Sequence, residues 1–240
     1  MIAGIVTISE TLRNAFLSYC PDFPQEKLIV AHDAASEPFN KEQLDIGKRK
    51  NRLHVGYVGS FKPGKGIEHI IKVAAITTNS RIAFHVVGGS PGDIRSLRLA
   101  LPNNITFYGQ VPHKDVFKYV NAFDVCLLPN QFSMRTGRQS RDIGQFTSPL
   151  KLFEYMAAGK PIIASQLPSI QEVVNNETAL LVEPDDPEEW KSALITLRDN
   201  KEFRTALGRR AKTEHRAKFT WDARATRLST WLQGDVSRQH

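Results

Sequence analysis

The sequence predicts an α/β fold in which a doubly wound parallel sheet is followed by a helical C-terminal extension. From His54 onward, apolar runs of strand length alternate with segments that repeat apolar residues at helical spacing. This alternation is typical of a parallel sheet with helices on both faces. The runs are apolar almost throughout, as expected for strands buried on both sides. The predicted strands are residues 55–58, 83–87, 105–107, 125–128, 162–164 and 179–182.

The segments between and after these strands carry the helical period, with apolar residues three and four positions apart. Asp186, Pro187 and Glu189 take the N-cap, first and third positions of a well-marked helix start. Each segment is therefore predicted to be a helix with one side against the sheet or another helix. The predicted helices are residues 67–75, 94–101, 116–120, 150–157, 170–174, a helix from 187, 201–218 and 221–231.

The first fifty residues differ from the rest. Residues 5–8 read as a short strand, and Ser9 is placed to cap a helix that follows it. A second short apolar run occupies residues 28–30, and the polar stretch 36–51 is predicted to be a linker. We expect the opening strand to lack a partner strand nearby. Its exposed edge would then favour self-association.

Composition excludes several classes of protein. The chain has 240 residues, of which 41% are hydrophobic and 24% are charged, so collagen, wholesale disorder and small disulfide scaffolds are ruled out. The 32 basic and 25 acidic residues give a net charge of +7, which suits an anionic partner without choosing one. Cys126 lies in an apolar strand-like run and Cys20 is far from it, which favours a reducing cytoplasmic interior.

Contact with a membrane is expected only from the side. No apolar run is long enough to cross a bilayer, and the N-terminus lacks the features of a signal peptide. The helix at 201–218 has a basic side that could meet anionic lipid at the inner face of the membrane, although a solvated basic surface is the favoured interpretation. That side consists of Lys201, Arg209, Lys212 and Arg216.

The first candidate site follows the first strand of the sheet. Residues 59–66 nearly spell a P-loop, in which Gly59 and Gly64-Lys65 have the required spacing. A P-loop needs Ser or Thr next, but Gly66 stands there, and Pro63 removes an N–H donor. A P-loop ATP- or GTP-binding protein stays an alternative. The turn still places Lys65 and backbone N–H groups at the carboxyl edge of the sheet, where anions bind, unless Lys65 is merely exposed.

The second candidate site is the helix at 150–157. Ser148 is predicted to cap it, with Pro149 in its first turn. Lys151 lies where the helix dipole is positive, so a bound anion would stabilise it and the helix start would form a phosphate site. Glu154, one turn further, could accept hydrogen bonds from a diol such as ribose. The alternative is a Lys–Glu surface pair of little energetic value.

These motifs carry a resemblance to a known family. The segment S-P-L-K-L-F-E-Y-M-A-A-G-K-P-I-I-A-S and the Lys65-Gly66 turn resemble the C-terminal half of GT-B-fold, family 4 (group 1) glycosyltransferases. Similar segments occur at residues 109–112, 179–184 and 219–224. The resemblance runs from about residue 53 to the end, and implies a Rossmann-like domain. Residues 1–50 resemble the last strand and helix of the family's N-terminal domain and the connection after it.

The resemblance also implies roles for individual residues. Lys65 would bind the donor diphosphate, and Glu154 matches the second glutamate of the family's Glu-x7-Glu motif, which binds the ribose. Phe146 replaces the first glutamate, which normally contacts the donor sugar, and Ser60 stands where many members have arginine. Lys151 would supply the second positive charge. The remaining substrate-binding residues would be Gly59, Gly109, Gln110, Val111, Ser148, Pro149 and Leu150, with residues 109–111 meeting the base through their backbone.

The predicted function is binding of a UDP- or GDP-linked sugar for retaining, metal-independent glycosyl transfer, with no cofactor, no metal site and no nucleic-acid partner. Lys65 and Lys151 are the predicted catalytic residues, because they would neutralise the departing diphosphate. The predicted units are 1–50, a remnant of an acceptor domain with a linker; 51–218, the donor-binding domain; and 219–240, a closing helix. The chain alone is expected to be inactive. A non-catalytic nucleotide-sugar-binding or interaction module is the other alternative.

Overall fold

The computed structural model describes residues 4–38, 41–47, 51–97, 101–133, 144–146 and 148–236. Its strands are β1 Ile5–Thr7, β2 Leu28–Val30, β3 Leu53–Val58, β4 Ile82–Val87, β5 Ile105–Gly109, β6 Val125–Leu128, β7 Ile162–Ser165 and β8 Leu180–Val182. Its α-helices are α1 Glu10–Tyr19, α2 Ile67–Ile76, α3 Pro91–Ser96, α4 His113–Ala122, α5 Leu150–Ala157, α6 Pro168–Gln171, α7 Pro187–Asp199, α8 Lys201–Lys218 and α9 Trp221–Val236.

The main sheet is parallel and doubly wound. Its strand order is β5-β4-β3-β6-β7-β8, and every pairing in it is parallel. The chain winds outward from β3 in one direction and then from β6 in the other. The strand order therefore reverses between β3 and β6, and ligands of such sheets bind outside the carboxyl ends of the strands at that switch point. The predicted Rossmann-like α/β fold is confirmed.

The core lies on both faces of this sheet. One layer packs α4, α5 and part of α8 against one face, and includes Phe123 and Phe153. The other layer packs α2 and α7 against the opposite face, and includes Phe84 and Trp190. Strands buried on both sides explain why the runs are apolar throughout rather than alternating.

Most predicted elements are found within a few residues of their predicted bounds. The helix starting at Pro187 has Asp186 as its N-cap, whose carboxylate accepts from the N–H groups of Glu188 and Glu189. The helix predicted at 94–101 is instead α3, which starts earlier because Ser90 and Asp93 form a capping box. Residues 98–100 lie outside the described part of the chain, and α9 extends beyond the predicted end at residue 231.

The opening strand is not unpaired, which corrects the prediction made from the sequence. β1 pairs in parallel with β2, the apolar run at residues 28–30, through three residues on each strand. Ser9 caps α1 as predicted, because its hydroxyl accepts from Leu12 N–H at 3.0 Å. A parallel pair separated by a helix leaves no local signal in the sequence. The expected self-association would therefore use the remaining edge of β1 or of β2 in this two-stranded sheet.

The predicted linker lies along the main domain rather than projecting from it. Leu44 N–H donates to the Lys118 carbonyl of α4 at 3.1 Å. Glu37 forms a two-bond ion pair with Arg216 and lies 3.5 Å from Lys212. The hydrogen bonds from Arg216 lower the pKa of Glu37 to about 2. Lys212 and Arg216, which belong to the predicted basic side of α8, therefore form ion pairs within the chain.

Candidate functional site

The site is formed at the switch point by the loops that follow β3 and β6. The carbonyl of Gly64 accepts from Gln131 N–H at 2.9 Å. Gly66 has a φ of 78°, and a Cβ there would collide with the Pro129 carbonyl oxygen. Because the two loops pack this closely, only glycine fits at position 66. A P-loop has its Mg²⁺-binding Ser or Thr at this position. Here the Pro129 backbone leaves no room for such a side chain.

The turn at Gly59 and Ser60 is held in place by hydrogen bonds with residues of β3 and β4. The Tyr57 hydroxyl donates to the Ser60 carbonyl at 2.9 Å, and Gly59 N–H donates to the Val87 carbonyl of β4 at 2.8 Å. A Cβ at Gly59 would collide with the Tyr57 hydroxyl. The Ser60 side chain remains exposed at the rim of the site.

Two lysines bring positive charge to the site. Burial lowers the pKa of Lys65, and the charge of Lys151 lowers it further, followed by that of Lys62. Burial also lowers the pKa of Lys151, while the neighbouring Glu154 carboxylate partly offsets this. The sheet therefore brings Lys65 and Lys151, from two distant segments, into one electrostatic environment. A bound anion would stabilise both ammonium groups.

The start of α5 differs from the prediction. Ser148 is not the N-cap: Pro149 takes that position, with a ψ of 114°, and no side chain caps the helix. Ser148 therefore lies one residue too early to reach the first-turn N–H groups. Its Oγ is buried and has no hydrogen-bond partner among the described residues. The helix start is left with N–H groups that an anion can accept from, and Leu150 is exposed beside it.

Glu154 is not part of a surface pair. Its side chain is only 20% exposed, and its Oε1 lies 4.0 Å from Nε2 of His113. Burial raises the pKa of Glu154, while the charges of Lys151 and then His113 lower it. A half-buried carboxylate that is held next to cations can accept hydrogen bonds from a diol. The simple surface-pair alternative is contradicted by this burial.

The loop after β5 forms the far side of the site. Gly109 has a φ of 70°, and its carbonyl accepts from Gly88 N–H at 2.7 Å, which joins the loops after β4 and β5. Gln110 is exposed and Val111 is half-buried. The loop leads through Pro112, the N-cap of α4, to His113. The predicted base-binding segment and the predicted ribose-binding residue are thus connected through His113.

Two neighbours of the site were missed from the sequence. His113 directly follows the predicted base loop, and its titratable ring next to that loop was the available signal. Tyr155 follows Glu154, and in the sequence it resembles an ordinary core residue. In the structure it is completely buried.

Phe146, the residue that replaces the first glutamate, lies in a short 3₁₀-helix, Gly144–Phe146, and is half-buried.

The fold and this site define a class: a doubly wound α/β domain with two lysines and an uncapped helix start at its switch point. A sequence model of the group 1 glycosyl transferases matches residues 52–200. Because the match covers more than half of the chain, the protein belongs to the group 1 glycosyltransferase family.

Individual relatives agree with this assignment. The chain is 27% identical over 233 residues to a D-inositol 3-phosphate glycosyltransferase of Corynebacterium glutamicum, covering 92% of this chain and 52% of that protein. It is 26% identical over 177 residues to a GDP-mannose-dependent phosphatidylinositol monomannoside mannosyltransferase of the same species, covering 72% of this chain and 45% of that protein. The chain therefore spans about half the length of these relatives.

Solved structures share the fold. The structure of Anabaena HepE in complex with UDP superposes with a TM-score of 0.76 at 17% identity, covering 98% of this chain and 64% of that one. Sucrose-phosphate synthase from Thermosynechococcus elongatus superposes with a TM-score of 0.70 at 24% identity, covering 98% of this chain and 57% of that one. Both are considerably longer than the chain described here.

Proposed function

We propose that the edge of the sheet between the loop after β3 and the start of α5 binds the diphosphate of a nucleotide sugar for retaining, metal-independent glycosyl transfer. The observation that carries the proposal is the convergence of Lys65, Lys151 and the uncapped start of α5 at the switch point. Burial lowers the pKa of each lysine, and a bound anion would offset this loss of solvation.

The proposed roles follow from these positions. Lys65, Lys151 and the N–H groups at the start of α5 would stabilise the negative charge that develops on the departing diphosphate. Glu154 would accept hydrogen bonds from the ribose hydroxyls and would orient the nucleotide without reacting. Gly109, Gln110 and Val111 would contact the base through their backbone groups. Ser60 and Leu150, exposed at the rim, would border the donor.

The base and sugar are proposed only by class. One relative is named as GDP-mannose-dependent and one structural neighbour was solved with UDP, so UDP- and GDP-linked sugars are the proposed donors. Phe146 replaces the carboxylate that the family places against the donor sugar. We therefore propose that sugar recognition in this chain differs from the family pattern.

The acceptor is proposed to bind on a separate N-terminal domain. The relatives' greater length supports this, as does the small β1–β2 sheet with α1, which precedes the anchored linker. Residues 1–50 would be the end of that domain and the linker, 51–218 the donor domain, and 219–240 the closing helix.

Localisation in the cytoplasm remains a proposal. In the part of the chain that the structure describes, no helix has both the length and the apolar character needed to cross a bilayer. Lys212 and Arg216 are paired with Glu37. Exposed Lys201 and Arg209 are left for the proposed peripheral contact with anionic lipid, which would be weak.

A thermal-shift panel tests nucleotide binding. We expect UDP or GDP at 100 times its Kd to raise the Tm by roughly 5–10 °C, because binding at that ratio stabilises the fold by about 2.7 kcal/mol. EDTA should leave the shift unchanged, since the proposed site uses lysines and helix N–H groups. The panel also includes ADP and ATP with Mg²⁺. A shift only for triphosphates with Mg²⁺ would support the P-loop alternative instead.

Glu154→Gln separates ribose binding from a structural task. We expect the variant to weaken UDP or GDP about five- to tenfold, because Gln replaces hydrogen bonding to a charged group, worth roughly 1.5–3 kcal/mol, by a neutral hydrogen bond worth about 0.5–1.5 kcal/mol. The 2′,3′-dideoxy analogue should bind both proteins alike, since it lacks the hydroxyls. Calorimetric titration measures both ligands, and equal losses for the two would assign Glu154 a structural role.

The same variant has an opposite effect without ligand. Because burial raises the pKa of Glu154, the folded protein holds this proton more tightly than the unfolded chain does. Stability therefore falls as the pH rises from 4.5 through the raised pKa. We expect Glu154→Gln to raise the Tm of the free protein at neutral pH by a few degrees, with no gain below pH 4.

A further inference from the structure

Tyr155 connects the two halves of the proposed donor site. It lies in α5, directly after Glu154, and is completely buried. Its hydroxyl oxygen accepts a hydrogen bond from the Val58 N–H at 3.0 Å. Val58 is the last residue of β3 and immediately precedes the Gly59–Ser60 turn. One side chain therefore joins the helix of Lys151 and Glu154 to the strand end that leads to Lys65.

The strand pairing explains why Val58 has an N–H to offer. β3 pairs with β6 only at Val55 and Gly56, and the two strands then separate. The next residue, Gly59, directs its N–H towards β4, where it donates to Val87. Alternate residues of a strand direct their N–H groups to opposite neighbours. Val58 N–H therefore points to the β6 side of β3, beyond the last residue at which the two strands pair. The Tyr155 hydroxyl occupies this place.

A second tyrosine completes the arrangement. The Tyr57 hydroxyl donates to the Ser60 carbonyl at 2.9 Å. The two tyrosine hydroxyls therefore bind the backbone on both sides of Gly59, one at Val58 N–H and the other at the Ser60 carbonyl. Burial raises the pKa of Tyr155 well above its usual range, and the neighbouring Cys126 and Tyr57 raise it further. The Tyr155 hydroxyl is therefore neutral at all physiological pH values.

We propose that Tyr155 is a positioning residue, which holds α5, with Lys151 and Glu154, at a fixed separation from the Lys65 loop, so that one nucleoside diphosphate contacts both. This role rests on the proposed function. A ligand whose diphosphate contacts both Lys65 and the start of α5 gains affinity from their fixed separation, whereas a nucleoside, which lacks the diphosphate, does not. The prediction is thus selective for ligands that carry the diphosphate.

The test compares UDP with its two fragments, uridine and inorganic pyrophosphate, and uses GDP with guanosine in parallel. We expect Tyr155→Phe to weaken the nucleoside diphosphate about tenfold, to weaken pyrophosphate as well, and to weaken the nucleoside less than twofold, by calorimetry and ligand-observed NMR on the folded protein. The matched control is Thr77→Val. It removes another fully buried hydroxyl, which donates to the Val73 carbonyl at the far end of α2. It should lower the Tm without changing any of the affinities.

The possible results are distinct. If the wild type binds neither UDP nor GDP, the proposed function fails, and the role of Tyr155 fails with it. If the wild type binds one of them and Tyr155→Phe binds it equally well, or loses the nucleoside in proportion, only the positioning role is overturned. If Tyr155→Phe does not fold, hydrogen exchange of the Val58 amide in the wild type replaces it: slower exchange with saturating nucleoside diphosphate than with saturating nucleoside supports the role, and equal exchange with the two contradicts it.

Discussion

Lys65→Ala should reduce the affinity for a nucleoside diphosphate by roughly 10- to 150-fold, because a hydrogen bond between charged groups contributes about 1.5–3 kcal/mol. Lys65 follows the Gly59–Ser60 turn, and its pKa is lowered by burial and by Lys151. Removing its charge therefore takes away a cation that is poorly solvated until an anion binds. Affinity for the nucleoside alone should change less than twofold, since the nucleoside has no phosphate.

Lys62→Ala is the matched control for this prediction. It removes the same charge from the same loop, but Lys62 is exposed to solvent, so we expect less than a threefold effect. Lys151→Ala should behave like Lys65→Ala. Titration calorimetry at constant ionic strength measures all three variants. Similar small losses for Lys62→Ala and Lys65→Ala would mean that the loop attracts anions by its overall charge rather than through one positioned lysine.

The second large effect is on turnover. We expect the 240 residues alone to bind donor but to transfer no sugar, whereas the chain joined to an N-terminal half like that of its longer relatives should be active. Holding donor and acceptor in one site is worth about 7–11 kcal/mol of barrier, and residues 1–50 are too few to form an acceptor domain. The assay follows nucleoside diphosphate release with and without acceptor.

Two outcomes of this assay contradict the account in different ways. Robust transfer by the isolated chain would show that it contains a complete acceptor site. Absence of transfer by the joined protein, with nucleotide binding retained, would favour the non-catalytic binding module. The Lys65→Ala variant of the joined protein is the control, because it should lose transfer while its acceptor domain is unchanged.

Much of the fold could be predicted because its signals are local. Each strand of the main sheet coincides with a mostly apolar run, and Asp186 marks a helix start without ambiguity. The pairing of β1 with β2 was missed, since it joins residues more than twenty positions apart and leaves no periodic signal. The N-cap of α5 was predicted wrongly. Ser148 followed by Pro149 fits a common cap pattern, but the N-cap in the structure is Pro149, one residue later.

The site was predictable to the extent that it follows from sheet topology. Loops at the carboxyl ends of parallel strands share one edge, so Lys65, Lys151 and Glu154 could be expected to meet there. The bond between Tyr155 and Val58 could not be anticipated, because it depends on where β3 and β6 diverge. The contact of His113 with Glu154 likewise depends on how α4 is oriented relative to α5.

The most direct measurement of the central claim is a crystal structure of this chain with UDP or GDP, whichever gives the larger thermal shift. We predict that the diphosphate lies between the loop after β3 and the start of α5, within hydrogen-bonding distance of Lys65 Nζ and of N–H groups at the start of α5. The ribose hydroxyls should face the Glu154 carboxylate. A diphosphate bound elsewhere, or at this edge but without contact to Lys65 and α5, would contradict the account.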